Sequence, residues 1–473
     1  DGALKAVAIS AATPAQAGSV TFNDGHVTTT GNQSYKGVVL LGANTTLNAG
    51  AGDVTFDSTV DTAVVANVTT VAKSLTVNSN GATTFTGAVG YSSPLLSVTT
   101  DKGTAGSVAI NGGSVTTTGA QNYGEAVTMA QATTLTGSAV AFGDTVNGDS
   151  SLYVLGATAM NGGSITTAGY QRYSGAVTLG VNTILDAGTG DVTFDSTVDT
   201  LASAIANVPT VAKSLMVSTT GATTFNGAVG STTDGALSSL TTTALTPANA
   251  GTVTFNQGQV TTTGNQNYGG AVLLGADTTL TTSNADVVFG GSVNNATTAA
   301  KALTVDAGNG AVTFKGAVGD STTHLAIGDL VVNSGTTTTF VHAVDAASVT
   351  TDLGGTVVIQ GGNITTTGAQ TYNDDVELDN RAAHTTILTT SNGDVTFGGK
   401  LNNATTAPES LTVNGGGAVT FTGAVGDSAN HLAIGALVVN SSAATTFTDT
   451  VDAASVTTDV GGSVAINGGV VNT

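Results

Sequence analysis

The 473 residues contain no cysteine, no tryptophan and only five prolines. The absence of cysteine excludes disulfide frameworks, thiolate zinc sites, iron–sulfur clusters and cysteine nucleophiles. Positive charge is scarce: ten Lys plus Arg stand against 31 Asp plus Glu, a net charge of −21. A chain this acidic lacks the clustered cations that phosphate contacts need, which argues against nucleic acid as a partner. Charged residues make up 9% and aromatics 4% of the chain. The low charge excludes the charge-rich kind of disorder. No run of 18 apolar residues is present, so no helical transmembrane segment is expected. The chain starts at Asp1 without a Met and without a basic-then-apolar leader. The expectation is a processed chain or an excerpt.

What is abundant is glycine, with 64 residues, together with Thr, Ala and Val. They fall into a repeat. GSVTFNDGHVTTTGNQSYKGVVLLG runs from Gly18, and related copies start at Gly106, Gly156, Gly251, Gly355 and Gly462. Three further units recur between them. TTLNAGAGDVTFDSTVDT from Thr45 returns from Thr183; KSLTVNSNGATTFTGAVG from Lys73 returns from Lys213; LVVNSGTTTTFVHAVDAASVTTD from Leu330 returns in altered form from Leu437. A four-unit cassette is thus repeated, and the 50-residue interval between Gly106 and Gly156 lacks two units.

Each unit is built from strand-sized pieces. Val54 and Phe56 alternate with Asp53, Thr55 and Asp57, a period of two rather than 3.6. Turn residues separate the pieces: Asn23-Asp24-Gly25, Asn111-Gly112-Gly113, Asn161-Gly162-Gly163 and Asn467-Gly468-Gly469, where glycine supplies positive φ. Short helices are expected only in the inserts before Lys73, Lys213 and Lys301. Counting one inward strand per half-unit gives roughly 21 residues per step, the size of one coil of a parallel β-solenoid. The predicted fold is all-β: a rod-like solenoid of about 22 coils spaced ~4.8 Å apart, on the order of 100 Å long, running as one continuous body over 1–473. The competing fold is an array of β-sandwiches of ~100 residues. Loss of two units without disturbance of the rest favours a stack. Asp1-Gly2-Ala3-Leu4 aligns with Asp234-Gly235-Ala236-Leu237, and the last copy stops at Thr473. The expected partner is therefore more of the same chain, or a second copy docking end to end.

No GxSxG, HExxH or Walker loop is present. Of the five histidines, His26, His324, His342, His384 and His431, His324 and His431 are one repeated position, which favours a turn or packing role. The cations Lys5, Lys36, Lys73, Lys102, Arg172, Lys213, Lys301, Lys315, Arg381 and Lys400 are scattered. We therefore assign no catalytic, cofactor-binding or metal residues, and expect a protein that is not an enzyme and holds no cofactor. Asp53, Asp57 and Asp61, repeated as Asp191, Asp195 and Asp199, are expected on one outward face. They read as a solvated acidic surface; Ca²⁺ bridging between coils is the sharper alternative. Thr28-Thr29-Thr30 and its counterparts at 116–118, 261–263 and 365–367 resemble flat ice-binding arrays but return only once per cassette, and read as ordinary strand and turn threonines. Five of the eight tyrosines follow a glutamine: Gln33/Tyr35, Gln121/Tyr123, Gln171/Tyr173, Gln266/Tyr268 and Gln370/Tyr372. A structural role is expected, each ring covering a core edge with its hydroxyl at solvent or in lateral packing.

The cassette GSVxFNGGxVTTTGxQxYxGxVxLG, followed by TTLxxxxGDVTF and SLTVxxGGxVTFxGAVG, resembles the repeat regions of bacterial filamentous-haemagglutinin-like and autotransporter-type exoproteins. The resemblance covers essentially the whole chain. It implies a right-handed parallel β-helix at the bacterial outer surface. The implied role is structural and adhesive, as a fibre for cell-surface attachment or extracellular matrix, with a cell-surface or glycan ligand. The alternative is a carbohydrate-binding or carbohydrate-active β-helix.

Overall fold

A computed structural model describes residues 4–10, 18–101, 105–203, 209–231, 235–243, 250–320, 326–380, 385–427, 432–459 and 461–473. Two compact units divide the chain. One comprises 1–236 with 243–248, the other 237–242 with 249–473. Among the described residues every regular element is a strand, and the strands of each unit pair in parallel with those one coil away. Each unit is a stretch of β-solenoid; together they hold about 20 turns.

In the first unit three strands make one coil, and each strand stacks into its own column. One column brings Tyr35, Phe56, Phe85, Ile110 and Met129 into register. A second aligns Leu47, Val77, Thr100, Tyr123, Phe142 and Met160. The third runs through Val39, Val60, Val89, Val115, Leu135, Val154, Tyr173 and Phe194. The second unit repeats the scheme: Tyr268, Phe289, Phe314, Phe340 and Ile359 form one such line.

The period-two pattern explains the burial. Val54 and Phe56 are fully buried while Asp53 and Asp57 are exposed. Because the ladder is parallel and in register, like residues stack on like. Phe289 and Phe314 lie 4.6 Å apart and 3° from parallel, and Phe397 and Phe421 4.8 Å and 4°. These separations match the ~4.8 Å spacing of hydrogen-bonded strands. Few aromatics are needed because each serves the coils above and below it.

One coil consumes 19 residues from Val108 to Val127 and 32 from Leu185 to Val217. Most of the difference is absorbed at the corners, and in the longer coil the register also slips by one residue between Asp186 and Gly188. Cassette and coil are also out of phase. Tyr35, Tyr123 and Tyr173 occupy equivalent cassette positions but stand in three different columns. A reading by half-units finds the step length; it does not find that three strands make a turn.

Turn glycines behave as their positions predict: Gly25, Gly113, Gly163 and Gly469 have φ of 74°, 73°, 82° and 78°. The inserts do not form helices. Residues 63–73 and 296–300 are irregular, with a turn closed by the Val68 N–H on the Val65 carbonyl. Their Val- and Thr-rich composition disfavours a helix without a packed face. Residues 204–208, inside the insert before Lys213, lie outside the described residues. So do Asp1, Gly2, Ala3, Lys102, Asp234, His324, Arg381, His384 and His431.

Thr83 is a flaw in its column. It stands between Val54 and Val108, is fully buried, and its hydroxyl has no hydrogen-bond partner. Thr338, between Val312 and Val357, repeats the situation. Replacing a buried unsatisfied hydroxyl by a methyl of similar shape removes a desolvation cost. Thr83→Val is expected to stabilise by about 1 kcal/mol, read as a higher melting midpoint; a lower midpoint for both Thr83→Val and Thr338→Val would contradict this packing.

Candidate functional site

The most elaborate chemistry in the molecule is buried. In each of the five Gln/Tyr copies the motif reads Thr-x-Gly-x-Gln-x-Tyr, and the side chains form one directional relay. The Tyr hydroxyl donates to the Gln Oε1 two residues earlier, at 2.9 Å for Tyr35, Tyr123 and Tyr173, 2.8 Å for Tyr268 and 3.0 Å for Tyr372. The Gln Nε2 donates to the Thr hydroxyl four residues earlier, at 3.1 Å in Gln171 and 3.2 Å in Gln370. The same nitrogen donates to a main-chain carbonyl of the next coil: Asn48, Thr136, Asp186, Thr281 or Thr389. The Thr hydroxyl donates to the glycine carbonyl, as Thr167 does to Gly169 at 2.7 Å.

All five glutamines are fully buried, and the tyrosines are at most 1% exposed. The tyrosine hydroxyls therefore do not reach solvent, contrary to the expectation from sequence. Each points along the core to a glutamine that is itself sealed in. Burial pushes all five phenols well above the ordinary tyrosine range, so each keeps the proton it donates. The relay pins one coil to the next rather than offering a reactive group.

The aspartates do a second kind of pinning. Asp53 Oδ1 accepts the Ala82 N–H of the next coil at 2.8 Å, while the Asp53 N–H donates to Asn32 Oδ1 of the previous coil at 3.0 Å. The aspartates before three other Val-x-Phe strands accept in the same way: Asp191 from Ala222, Asp286 from Ala311 and Asp394 from Ala418, at 2.7–2.9 Å. Asp57 is exposed as expected. Asp61 and Asp199 are not: they are 3% and 8% exposed. The strand runs on in register through Val60–Thr62, and Asp61 is covered because its carboxylate accepts the N–H groups of Ser92 and Ser93 at 2.8 and 3.2 Å. Asp53, Asp57 and Asp61 therefore do not converge on a Ca²⁺ site. No group of three or more His, Asp and Glu is placed to hold a metal among the described residues. His26 and His342 are each exposed.

One surface cluster departs from the repeat. Arg172 Nε contacts Asp195 Oδ2 at 2.7 Å, and its guanidinium lies over the Tyr153 ring at 5.5 Å from the centroid. Tyr170, half-exposed, stands nearby. Another conspicuous surface is the insert of 63–73, where Val64, Val65, Val68 and Val71 are each at least 60% exposed. Two carboxylates at coil corners are also unusual. Glu125 is 3% exposed with neither oxygen hydrogen-bonded, and burial, with Asp101 beside it, raises its pKa to about 7. Asp374, 2% exposed, is raised by burial and by Asp352.

Comparison with protein-family models, with curated proteins and with solved structures returns no match.

Sequence reasoning located the Gln/Tyr motif and the repeated aspartates but missed their partners, because those lie one coil away at spacings set by the corners. Glu125 was also missed. Its signal was present: an acid where Gly37, Gly175 and Gly270 stand in sister copies.

Two predictions arise from these geometries. Tyr173→Phe strands the Gln171 Oε1 without its donor and is expected to destabilise by about 1–2 kcal/mol; Gln171→Leu, which also strands the Asp186 carbonyl and the tyrosine hydroxyl, costs more. Thermal melts check the order, and an effect of Tyr173→Phe equal to that of an exposed Tyr91→Phe control would refute the relay. The second concerns pH. With a folded pKa near 7 against 4.5 for the free group, the folded chain binds more protons than the unfolded one in between. Glu125 then contributes stability that is full below about pH 4.5 and lost as pH rises through about 7. Melts in chelating buffer are expected to show this decline, and Glu125→Gln to lessen it.

Proposed function

We propose that this chain is a structural, adhesive exoprotein of the filamentous-haemagglutinin-like or autotransporter type, displayed at a bacterial cell surface and not an enzyme. The observation that carries the reading is where its chemistry is spent. The five Thr-Gln-Tyr relays and the aspartate bridges all face the neighbouring coil. Their product is cohesion between coils, which suits a protein whose task is to hold a surface out from the cell. The outer faces vary through corners of changing length, which is where a solenoid can present contacts. On this reading its partners are more of the same chain or further copies end to end, and a cell-surface or glycan ligand.

A carbohydrate-binding role is favoured by one specific observation, the Tyr153–Tyr170–Arg172–Asp195 cluster. Aromatic faces beside a charged hydrogen-bonding pair suit a sugar's apolar face and hydroxyls. A single experiment addresses both readings. Beads coated with the purified chain are tested for retention on host-cell and bacterial surfaces and on immobilised glycans, with polysaccharide breakdown products measured in parallel. Retention without breakdown is expected, and Arg172→Ala with Tyr170→Ala weakens only the glycan component. Polysaccharide turnover would overturn the structural assignment.

A further inference from the structure

The two acidic corners share a construction not found at the other described corners. Glu125 and Asp374 are equivalent positions, each two residues after the relay tyrosine, Tyr123 or Tyr372. Asp101 and Asp352 are equivalent as well. Each follows the residue that pairs with that tyrosine, Thr100 with Tyr123 and Thr351 with Tyr372. In the other three copies the residues paired with the tyrosine are Ile9, Val154 and Thr242, and the positions after them are Ser10, Leu155 and Thr243. Those same three copies carry Gly37, Gly175 and Gly270 in place of the second acid. The two carboxylates are therefore both present, twice, or both missing, three times. A chance acid at either position would not track the other.

Geometry brings each pair to the main chain of one serine, Ser79 or Ser334. Asp101 Oδ1 accepts the Ser79 N–H at 3.0 Å, and Asp352 Oδ1 accepts the Ser334 N–H at 2.9 Å. The second acid reaches back to the same serine from a later coil. A Cβ built on Gly106 would stand 1.6 Å from Glu125 Oε1 and 2.9 Å from the Ser79 carbonyl oxygen, so carboxylate and carbonyl converge over that glycine. Over Gly355, the equivalent glycine, the Ser334 and Thr336 carbonyl oxygens stand 2.4 and 2.7 Å from the corresponding point, and Asp374 Oδ1 accepts the Gly355 N–H at 2.7 Å. Asp374 Oδ2 and both oxygens of Glu125 have no hydrogen-bond partner although the side chains are at least 97% buried.

The charges acting on each buried acid are negative. Glu125 feels Asp101, and Asp374 feels Asp352, with no compensating cation contributing at either position among the described residues. Two like charges in a dry corner repel strongly, and an unpaired buried carboxylate is costly. A compact hard cation resolves both problems, because it takes carboxylate and main-chain carbonyl oxygens together and completes its shell with water. We propose that the Asp101/Glu125 and Asp352/Asp374 corners are two equivalent Ca²⁺ sites that clamp successive coils. Each offers two carboxylates and at least one carbonyl, Ser79 at the first corner, and Ser334 and Thr336 at the second.

The test uses the whole chain, stripped with chelator at neutral pH, and Tb³⁺ as the probe. Tyr123 and Tyr372 lie two residues from the proposed ligands and can sensitise Tb³⁺ emission. Expected are two Tb³⁺ per chain, displaced by Ca²⁺, and a melting midpoint raised by millimolar Ca²⁺. Glu125→Gly keeps one site and Glu125→Gly with Asp374→Gly keeps none. These replacements install what the three sister copies already carry, so folding is retained, and Glu125→Gln with Asp374→Asn serves as a second pair. In both double variants the midpoint no longer responds to Ca²⁺. The proposal is overturned if the unmodified chain shows neither sensitised emission nor a Ca²⁺-dependent midpoint. It is equally overturned if the double variants keep both responses, which would place the binding on outer-surface aspartates.

Discussion

Everything in this molecule depends on satisfying the main chain at the corners between strands. Within the columns, parallel ladders pair each N–H and C=O with the next coil, and the strands need no further help. At a corner the chain turns away from the ladder, and its N–H groups lose those partners. A buried amide without a partner is costly. The recurrent Asn and Asp residues supply what the ladder cannot. Asn44 and Asn182 accept the Ser74 and Ser214 N–H groups of the following coil, as Asn284 accepts that of Asn309. An acidic composition is thus partly a structural requirement. Carboxylates and amides are short acceptors that reach one coil spacing, which lysine and arginine cannot do.

The same constraint accounts for the placement of the aromatics. A coil of three short strands encloses a narrow core, which must be filled by residues that stack without lateral room. Phenylalanine on phenylalanine meets this, and parallel register delivers it automatically. Tyrosine is admitted only with glutamine two residues before it, because its hydroxyl must end on an acceptor inside the core. Glutamine in turn needs two acceptors for its amide, supplied by a threonine of its own coil and a carbonyl of the next. The motif Thr-x-Gly-x-Gln-x-Tyr is therefore a closed set, in which each residue type satisfies the one that follows.

Much of this was legible in the sequence, and the exceptions have physical causes. The period-two pattern at Val54 and Phe56 gives strand and facing directly. The Asn-Gly-Gly corners gave turns at the right places with the right glycine in positive φ. Asp61 was misplaced because it stands mid-strand on a side that a later segment covers: the Ser92 and Ser93 N–H groups close over its carboxylate, 31 and 32 residues further on. The tyrosine hydroxyls were misplaced because their partner is in sequence but the sealing of that partner is not. It comes from Asn48, Thr136, Asp186 and Thr281, 15 residues further on, and from Thr389, 19 residues on. The helices expected before Lys73 and Lys301 failed because an insert at a corner need only leave and return, and nothing packs against it to select a helix.

Coil and cassette being out of phase has a consequence for how such a chain can change. Loss or gain of a unit moves every later motif to a different column, as Tyr35, Tyr123 and Tyr173 illustrate. That is tolerable only if the relay works on any of the three sides, and it does: the donor sequence from tyrosine to glutamine to threonine is the same in all three places, with nearly the same distances. The relay carries its own requirements with it and asks of the neighbouring coil just one carbonyl, which every strand provides. A core built from such self-contained sets can be lengthened or shortened without redesign, while corners of 19- to 32-residue coils alter what the surface presents. Cohesion is thereby separated from display, and that separation is what a repeated body with changing outer loops requires.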